Sequence, residues 1–311
     1  MKSWVKMGAA IGGVAVAGVA AVAAGSVRWG RATTREVARL DASGNGRAED
    51  AAAGTEGPYS PEQLTGLPAP VVRFFEFALE PGQQPVRRAT VRQSGEFSTR
   101  PGAWSPLLSV QRFSVHPPGF VWDASIHMMP LIPTLVRDSY IGGAGSMHAT
   151  VGGLVTVTKA GGGPEMAAGS LLRYLAETYS FPTALLPREG VRWSPIDDRT
   201  ARATLTDGET TVSMDVAFGE RGEMTTISAM RHREVNGSFL LTPWIAHLRD
   251  WARVGGMMIP RTGEVAWVID DKPVPYWRGT LLDVSYEFDG REGEHADSSP
   301  RKKDPFGEPV R

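Results

Sequence analysis

The sequence predicts an α+β domain built on one large curved antiparallel β-sheet or open barrel, with a few helices packed across it. Three observations support this fold class. Apolar and polar residues alternate over many short segments, which is typical of strands with one buried face. Turn-forming residues separate these segments at roughly ten-residue intervals, as in an antiparallel meander. Helical spacing of apolar residues is confined to a few stretches, which indicates helices that cover a sheet.

The first element is a run of twenty-one uncharged residues, 7–27, flanked by a basic N-terminus and by four arginines. A helix of this length, at about 1.5 Å per residue, spans about 30 Å, the thickness of a bilayer's hydrocarbon core. We therefore expect a single transmembrane helix and a location at the cell membrane. A cleaved signal peptide is the alternative, since Ala21-Val22-Ala23 resembles a cleavage site. The flanking charges nearly balance, so they do not distinguish the two sides of the membrane.

Composition divides the rest of the chain. Residues 1–6 form a basic N-terminus, and residues 28–59 are predicted to be a basic flank and flexible linker, because 41–58 are small, polar and without periodicity. Residues 60–289 are predicted to form a single β-rich domain. Residues 290–311 are charged and nearly without apolar side chains, and we expect this tail to be disordered.

Prolines begin three predicted helices inside the domain, where their missing N–H costs nothing. The first follows Pro70 and ends at Pro81-Gly82. The second follows Pro164, runs to residue 179 and carries an apolar stripe. The third follows Pro243 and ends at Gly255-Gly256.

The clearest strands alternate strictly in polarity and cover 119–128, 211–218, 265–269 and 282–288. Weaker strand candidates cover 88–98, 107–116, 147–158, 191–196, 200–206 and 223–233. Asp207-Gly208 supplies turn chemistry between two of them.

Composition and motifs exclude several classes of function. The net charge of −1 gives nucleic-acid binding no electrostatic support. The absence of cysteine excludes disulfides, thiolate metal sites and a cysteine nucleophile. The six histidines lack metal-ligand spacing, and the glycine clusters lack the context of a phosphate-binding loop. We predict no metal, no cofactor and no catalytic set.

The candidate ligand-binding residues are aromatic, aliphatic and charged side chains that a concave sheet would bring together. Trp122, Ile126 and Trp267 lie on the apolar faces of predicted strands, where they would line a pocket or simply fill the core. Arg173 and Glu177 lie four residues apart on the second predicted helix and can pair there. The other candidates are Asp123, on the polar face of the strand 119–128, and Arg137 and Tyr140, in a segment expected to be a loop.

Five segments carry a resemblance to a known family: PGFVWDA (118–124), VRDSYIGGAGSM (136–147), LLRYLAETYSFPTALLP (171–187), VRWSPID (191–197) and YWRG (276–279). Through them the chain resembles an uncharacterised bacterial family of unknown function, the DUF6544/DUF6920 group, over roughly residues 64–288. The resemblance implies one or more N-terminal membrane segments, and it implies no activity, cofactor or catalytic residue. The expected architecture is similar to that of periplasmic lipoprotein carriers, an analogy at the level of fold.

The leading hypothesis is a membrane-tethered module that binds a lipid or another hydrophobic small molecule in an apolar cavity. Residues such as Trp122, Ile126, Val265 and Trp267 would wall the cavity, and the helix 164–179 would act as its lid.

The alternative is an enzyme that uses charged groups at the cavity rim. Its candidate groups are Asp123, Arg137, Asp138, Arg173 and Glu177, which would then converge in a concave site. A third hypothesis is a scaffold that recruits partners through residues 290–311.

Overall fold

The computed structural model of the chain describes residues 2–45, 57–129 and 132–288, with the side chains of residues 18–44 in the first of these ranges. The predicted tail 290–311 and the central part of the predicted linker lie outside the described residues. Much of the predicted transmembrane segment, up to residue 17, has no described side chains. Among the residues that were described, no helix is both long and apolar enough to cross a membrane.

One antiparallel sheet of thirteen strands dominates the fold, in the order β6-β5-β4-β3-β2-β1-β13-β12-β11-β10-β9-β8-β7. The strands are β1 (Val86–Ser98), β2 (Trp104–Ser114), β3 (Gly119–Met129), β4 (Ile132–Ile141), β5 (Ala144–Val151), β6 (Val155–Gly161), β7 (Arg192–Pro195), β8 (Thr200–Asp207), β9 (Thr210–Phe218), β10 (Met224–Val235), β11 (Ser238–Val254), β12 (Met257–Ile269) and β13 (Lys272–Phe288). The sheet therefore consists of two meanders joined where the first and last strands pair, with Val91 opposite Val284. The predicted fold class is confirmed.

Within the described residues, three α-helices accompany the sheet: α1 (Lys2–Asn45), α2 (Ala69–Ala78) and α3 (Pro164–Glu177). Helices α2 and α3 begin and end close to where proline and apolar spacing predict. Helix α2 buries Phe74 and Phe75 completely. The ring of Phe74 lies 5.9 Å from that of Phe218 and 6.4 Å from that of Trp251, so α2 seals part of the core formed by the sheet.

Helix α3 connects the two edge strands, β6 and β7, and contacts both halves of the sheet. It packs on β3, β4 and β5 on one side and on β9 and β10 on the other. The Nε atom of Arg231 in β10 donates a hydrogen bond to the carbonyl oxygen of Gly169 in α3, at 3.3 Å. A single helix can touch strands this far apart in the sheet order only because the sheet curls around it.

The predicted helix after Pro243 is wrong, because this segment is the middle of β11. Trp244, Ala246 and Leu248 are buried at alternate positions, which is the period of a strand. Gly255 and Gly256 have φ angles of 56° and 85° and form the two-residue turn of the β11–β12 hairpin. Two positive φ angles in succession define a hairpin turn, so this glycine pair does not end a helix.

Two further expectations differ from the structure. Residues 28–45, assigned by the sequence to a basic flank and linker, are the last part of α1 and pack against the sheet. The segment containing Arg137 and Tyr140, expected to be a loop, is β4. In both segments, contacts distant in sequence stabilise regular structure where local composition indicates none.

Candidate ligand-binding cavity

A cavity of about 750 Å³ lies between the concave face of the sheet and α3. This volume is within the usual range for small-molecule sites. Trp122, Ile126, Val265 and Trp267 all line it, as expected for the apolar positions of β3 and β12. Residues Phe120, Trp122 and Ile126 alternate along β3, so they project from one face of the strand into the enclosed space.

A charged cluster lies in the wall of this otherwise apolar cavity. Arg173 of α3 donates through Nη1 to Oδ2 of Asp138, at 2.6 Å, and through Nε to Oε1 of Glu177, at 3.0 Å. Gln111 donates to the second oxygen of Glu177, at 2.5 Å. The arginine side chain is 16% exposed and that of Asp138 24%, and both line the cavity. The cluster therefore presents polar atoms to any molecule inside.

Aromatic rings hold the Arg173 guanidinium from its other sides. Its central carbon lies 4.7 Å from the ring centroid of Trp122 and 5.1 Å from that of Phe120. Both distances are within the range of cation–π attraction, which strengthens as the cation is desolvated. Two carboxylates and two aromatic faces together compensate for burying this charge.

Burial and the neighbouring charges have opposite effects on the pKa values of the cluster. It raises the pKa of Asp138, and the neighbouring Arg173 and Arg231 only partly oppose that effect. Burial lowers the pKa of Arg173, but attraction to Glu177 and Asp138 outweighs it and the pKa is raised. The Oδ1 atom of Asp138 is buried without a hydrogen-bond partner among the described residues. A buried carboxyl oxygen without a partner favours the protonated side chain, in agreement with the raised pKa of Asp138.

A second polar group surrounds Trp267. Arg231 lies 5.8 Å from the ring centroids of both Trp244 and Trp267, and Arg233 lies 6.0 Å from that of Trp267. The hydroxyl of Tyr276 accepts from Trp244 at 3.0 Å and from Arg231 at 3.3 Å. Neither arginine forms an ion pair with a carboxylate among the described residues. Two arginines thus line the cavity without a close carboxylate partner in the described structure, although Arg231 also acts on Asp138 at longer range.

Asp123 and Arg137, two of the predicted site residues, are on the opposite face of the sheet. Asp123 accepts from the indole N–H of Trp29, at 2.7 Å, and Arg137 donates to Thr33, at 2.9 Å. Burial raises the pKa of Asp123, and the hydrogen bond from Trp29 opposes this. These side chains attach α1 to the outside of the sheet, away from the cavity.

Tyr140 is fully buried and does not line the cavity. Its hydroxyl donates to Oδ2 of Asp207, at 2.8 Å. Burial, followed by this hydrogen bond, raises the pKa of Tyr140. The side chain therefore joins β4 to β8 across the core.

Five of the eight predicted ligand-binding residues line the cavity: Trp122, Ile126, Arg173, Glu177 and Trp267. Sequence reasoning missed Arg231, Trp244 and Tyr276. The alternation of Thr242, Trp244 and Ala246 was the available signal for Trp244, and the helical interpretation of this segment concealed it. No signal in the sequence pairs Arg231 with Tyr276, because 45 residues separate them.

No group of three or more histidine, aspartate or glutamate side chains is arranged to hold a metal ion in the part of the chain that the structure describes. Among the charged groups of the cavity, Arg173 is hydrogen-bonded to two carboxylates, those of Asp138 and Glu177.

Comparison with known proteins gives a family match and weak structural likenesses. The model of a family of unknown function, DUF6920, matches residues 65–286. A LolA superfamily protein from Nitrosomonas europaea is 10% identical, with a TM-score of 0.28 over 69% of this chain and 90% of the other. A beta-barrel-like DUF1849 protein from Brucella abortus is 8% identical, with a TM-score of 0.27 over 66% of this chain and 99% of the other. No curated protein matches the chain.

Proposed function

Since the chain belongs to the DUF6920 family, whose function is unknown, we propose from its own geometry that it is a membrane-tethered domain that binds a lipid or another hydrophobic small molecule. The observation that carries the proposal is the apolar cavity of about 750 Å³ beneath α3. Aromatic and aliphatic side chains form most of its wall, with a few convergent polar groups, which is the usual composition of a small-molecule site.

The polar groups of the cavity suit the polar end of an amphiphilic ligand. Arg231 and Arg233 line the cavity, and neither forms an ion pair with a carboxylate in the described structure. A guanidinium N–H forms a strong, charge-assisted hydrogen bond when an anionic oxygen accepts from it. A carboxylate or phosphate oxygen would do so, while an acyl or similar apolar chain fills the rest.

The proposed tether is the uncharged run 7–27, which belongs to the same continuous helix, α1, that packs on the sheet. Its length supports membrane anchoring. Tethering would place the cavity close to a source of apolar ligands.

Binding is tested on the full-length protein in detergent-free nanodiscs, with a fluorescent fatty acid as the probe and native mass spectrometry to identify co-purifying lipid. Val136→Trp adds bulk inside the cavity and should weaken probe binding at least tenfold. Leu282→Trp adds similar bulk at a position on β13 that is 49% exposed, and should leave binding unchanged. The proposal would be overturned if the native protein bound neither lipid nor probe. Equal probe affinities for the two variants would also overturn it.

An enzyme is the second candidate, because Asp138, Arg173 and Glu177 converge in the cavity within hydrogen-bonding distance. A buried carboxyl with a raised pKa beside a cation is a recurrent arrangement for acid–base chemistry. The test is turnover of a bound lipid ester, followed by mass spectrometry, in the native protein and in Asp138→Asn. Unchanged ligand after prolonged incubation with the native protein would remove this candidate.

A further inference from the structure

We propose that the protein docks one defined edge of its cavity on the surface of a lipid bilayer. This edge, the mouth rim, consists of the two neighbouring hairpin tips β3–β4 and β5–β6. Its apolar residues are Met128, Met129, Ile132, Leu154, Val155 and Val157. The inference rests on the membrane tether of the proposed function and adds which surface faces the lipid.

The mouth rim is an exposed apolar surface. Val155 and Val157 are 64% and 62% exposed, and Leu154 between the strands is 50% exposed. The two hairpin tips touch, since the amide of Gly152 donates to the carbonyl of Pro133 at 2.8 Å. A contiguous apolar surface of this kind marks an interaction site more often than a scattered set of apolar residues does.

Neither hairpin tip carries a charge. Residues 128–136 and 149–158 contain no aspartate, glutamate, lysine or arginine. Charged side chains resume at Arg137 and Lys159, further down the same strands. Arg137 is held by Thr33 and Trp29, whereas the exposed Lys159 can extend to phosphate groups while the tip enters the interface. This order of residues suits a lipid surface better than a charged protein.

The mouth rim is also part of the cavity wall. Met128, Met129 and Val157 line the cavity and are at the same time 38%, 43% and 62% exposed. A molecule that leaves the cavity past these residues therefore meets the surface that we propose to be in contact with lipid. Direct exchange of an apolar ligand would avoid its exposure to water.

Helix α1 leads the chain to the mouth rim. Near its C-terminus, Leu40 packs with Val121 and Ile141, at the other end of β3 and β4. Midway, Trp29 binds Asp123. Further towards the N-terminus, Gly25 packs so closely on Gly152 and Gly153 that a methyl group there would overlap their backbone. The helix thus follows the outer face from one end of these strands to the rim.

Helix α1 contacts the mouth rim with residues that belong to the uncharged run 7–27. Val22 lies beside Gly152, and residues 7–21 precede it without a charge. At about 1.5 Å per residue, fifteen helical residues extend about 22 Å. If this run enters a bilayer, the contact at Val22 and Gly25 holds the two hairpin tips at the membrane surface. The exposed Arg28 follows within one helical turn of Gly25, and its long side chain can extend to the polar side of the interface.

Site-specific probes on the full-length chain test the inference, and the absence of cysteine makes single labelling straightforward. Val155→Cys carries an environment-sensitive fluorophore at the rim. Ala144→Cys carries it at the exposed opposite end of β5, about 23 Å away along the strand. Both proteins are reconstituted into phosphatidylcholine–phosphatidylglycerol vesicles, with and without nitroxide-labelled lipid as quencher.

Docking predicts that the nitroxide lipid quenches the rim probe at least threefold more than the probe at residue 144. Equal, weak quenching at both positions would overturn the inference. If the rim probe is shielded from water but not quenched by lipid, and if copies of the protein crosslink to each other, the rim contacts a second copy of this chain. That result would also overturn the inference.

Two control readouts separate this inference from the proposed function. Flotation of the labelled protein with vesicles reports the tether, and fatty-acid probe binding reports the cavity. If the protein floats and binds the fatty-acid probe while the rim probe stays in water, the docking is refuted and the proposed function is not. A protein that does not float refutes the tether, and with it the docking.

Discussion

Arg173 shows how single residues set the character of the cavity. Its guanidinium balances Asp138 and Glu177 while it packs on Trp122. A buried charge of this kind is tolerated because each of its partners is present. Removing the cation leaves both carboxylates without their hydrogen-bonded counter-charge, and Asp138 keeps only the weaker attraction of Arg231.

We predict that Arg173→Met lowers the free energy of unfolding by about 3–5 kcal/mol at neutral pH. Because burial raises the pKa of Asp138, the folded protein holds this proton more tightly than the unfolded chain. Stability from this group is therefore present at low pH and is lost as pH rises above its ordinary value of about 4. Without Arg173 this loss is larger, so the deficit of the variant should be greater at pH 8 than at pH 5.

Chemical denaturation at the two pH values measures the effect. Arg202→Met is the matched control, because its partner Asp215 is at the surface and exposed ion pairs contribute little. A deficit at Arg173 that does not exceed that at Arg202, or that grows as pH falls, contradicts the prediction.

Adjacent residues of a strand point to opposite faces of the sheet. Here one face carries side chains that line the cavity, and the other carries side chains that hold α1. Trp122 is opposite Asp138, and Asp123 is opposite Arg137, in the register of β3 and β4. The first pair faces the cavity and the second faces α1. A shift of one residue in this register would exchange them.

At the scale of elements, α1 is held to the sheet by an extended row of contacts. They run from Leu40 through Thr33 and Trp29 to Gly25. The glycine is required because its backbone meets the backbone of the β5–β6 turn. A side chain at this point would lift the helix from the hairpin.

We predict that Gly25→Ala loosens this end of α1, because its methyl group would overlap the carbonyl oxygen of Gly152. Amide hydrogen exchange in residues 18–30 should become at least tenfold faster, while the sheet keeps its protection. Gly30→Ala is the control: its added methyl has open space, and alanine favours the helix by up to about 1 kcal/mol. Slower exchange in both variants would show that the helix does not pack on the turn.

At the scale of the whole molecule, the curl of the sheet and the position of α3 depend on each other. The two meanders meet at β1 and β13, and α3 packs between β3–β5 of the first meander and β9–β10 of the second. Gly145 in β5 lies directly against the carbonyl of Met166 and the hydroxyl of Ser170. This close approach fixes one side of the helix.

Gly145→Ala should push α3 away from β5, lower the free energy of unfolding by about 1–3 kcal/mol and weaken probe binding in the cavity. Gly161→Ala, on the neighbouring strand, adds a methyl at ordinary contact distance and should change neither property. Denaturation and probe titration measure both effects. Native stability and affinity in Gly145→Ala would mean that α3 does not need this close contact.

Local pattern predicted much of the fold but only part of the candidate site. Period-two alternation identified strands such as β3, β9 and β12, and proline with apolar spacing located α2 and α3. Trp122 and Trp267 were found because a strand's apolar face is visible in its sequence. Trp244 was missed because Pro243 and Gly255-Gly256 also fit the ends of a helix. Only the pairing of this segment with β10 and β12 shows that it is a strand.

The sequence by itself determined a β-rich domain with apolar strand faces, two covering helices and an uncharged N-terminal run, because these follow from the spacing of neighbouring residues. Only the tertiary structure decided that β1 pairs with β13, that Asp138 meets Arg173 while Arg137 faces α1, and that α1 passes the mouth of the cavity at Gly25. These contacts join residues far apart in the chain. Their choice depends on strand register, sheet curl and shared burial, which no local pattern encodes.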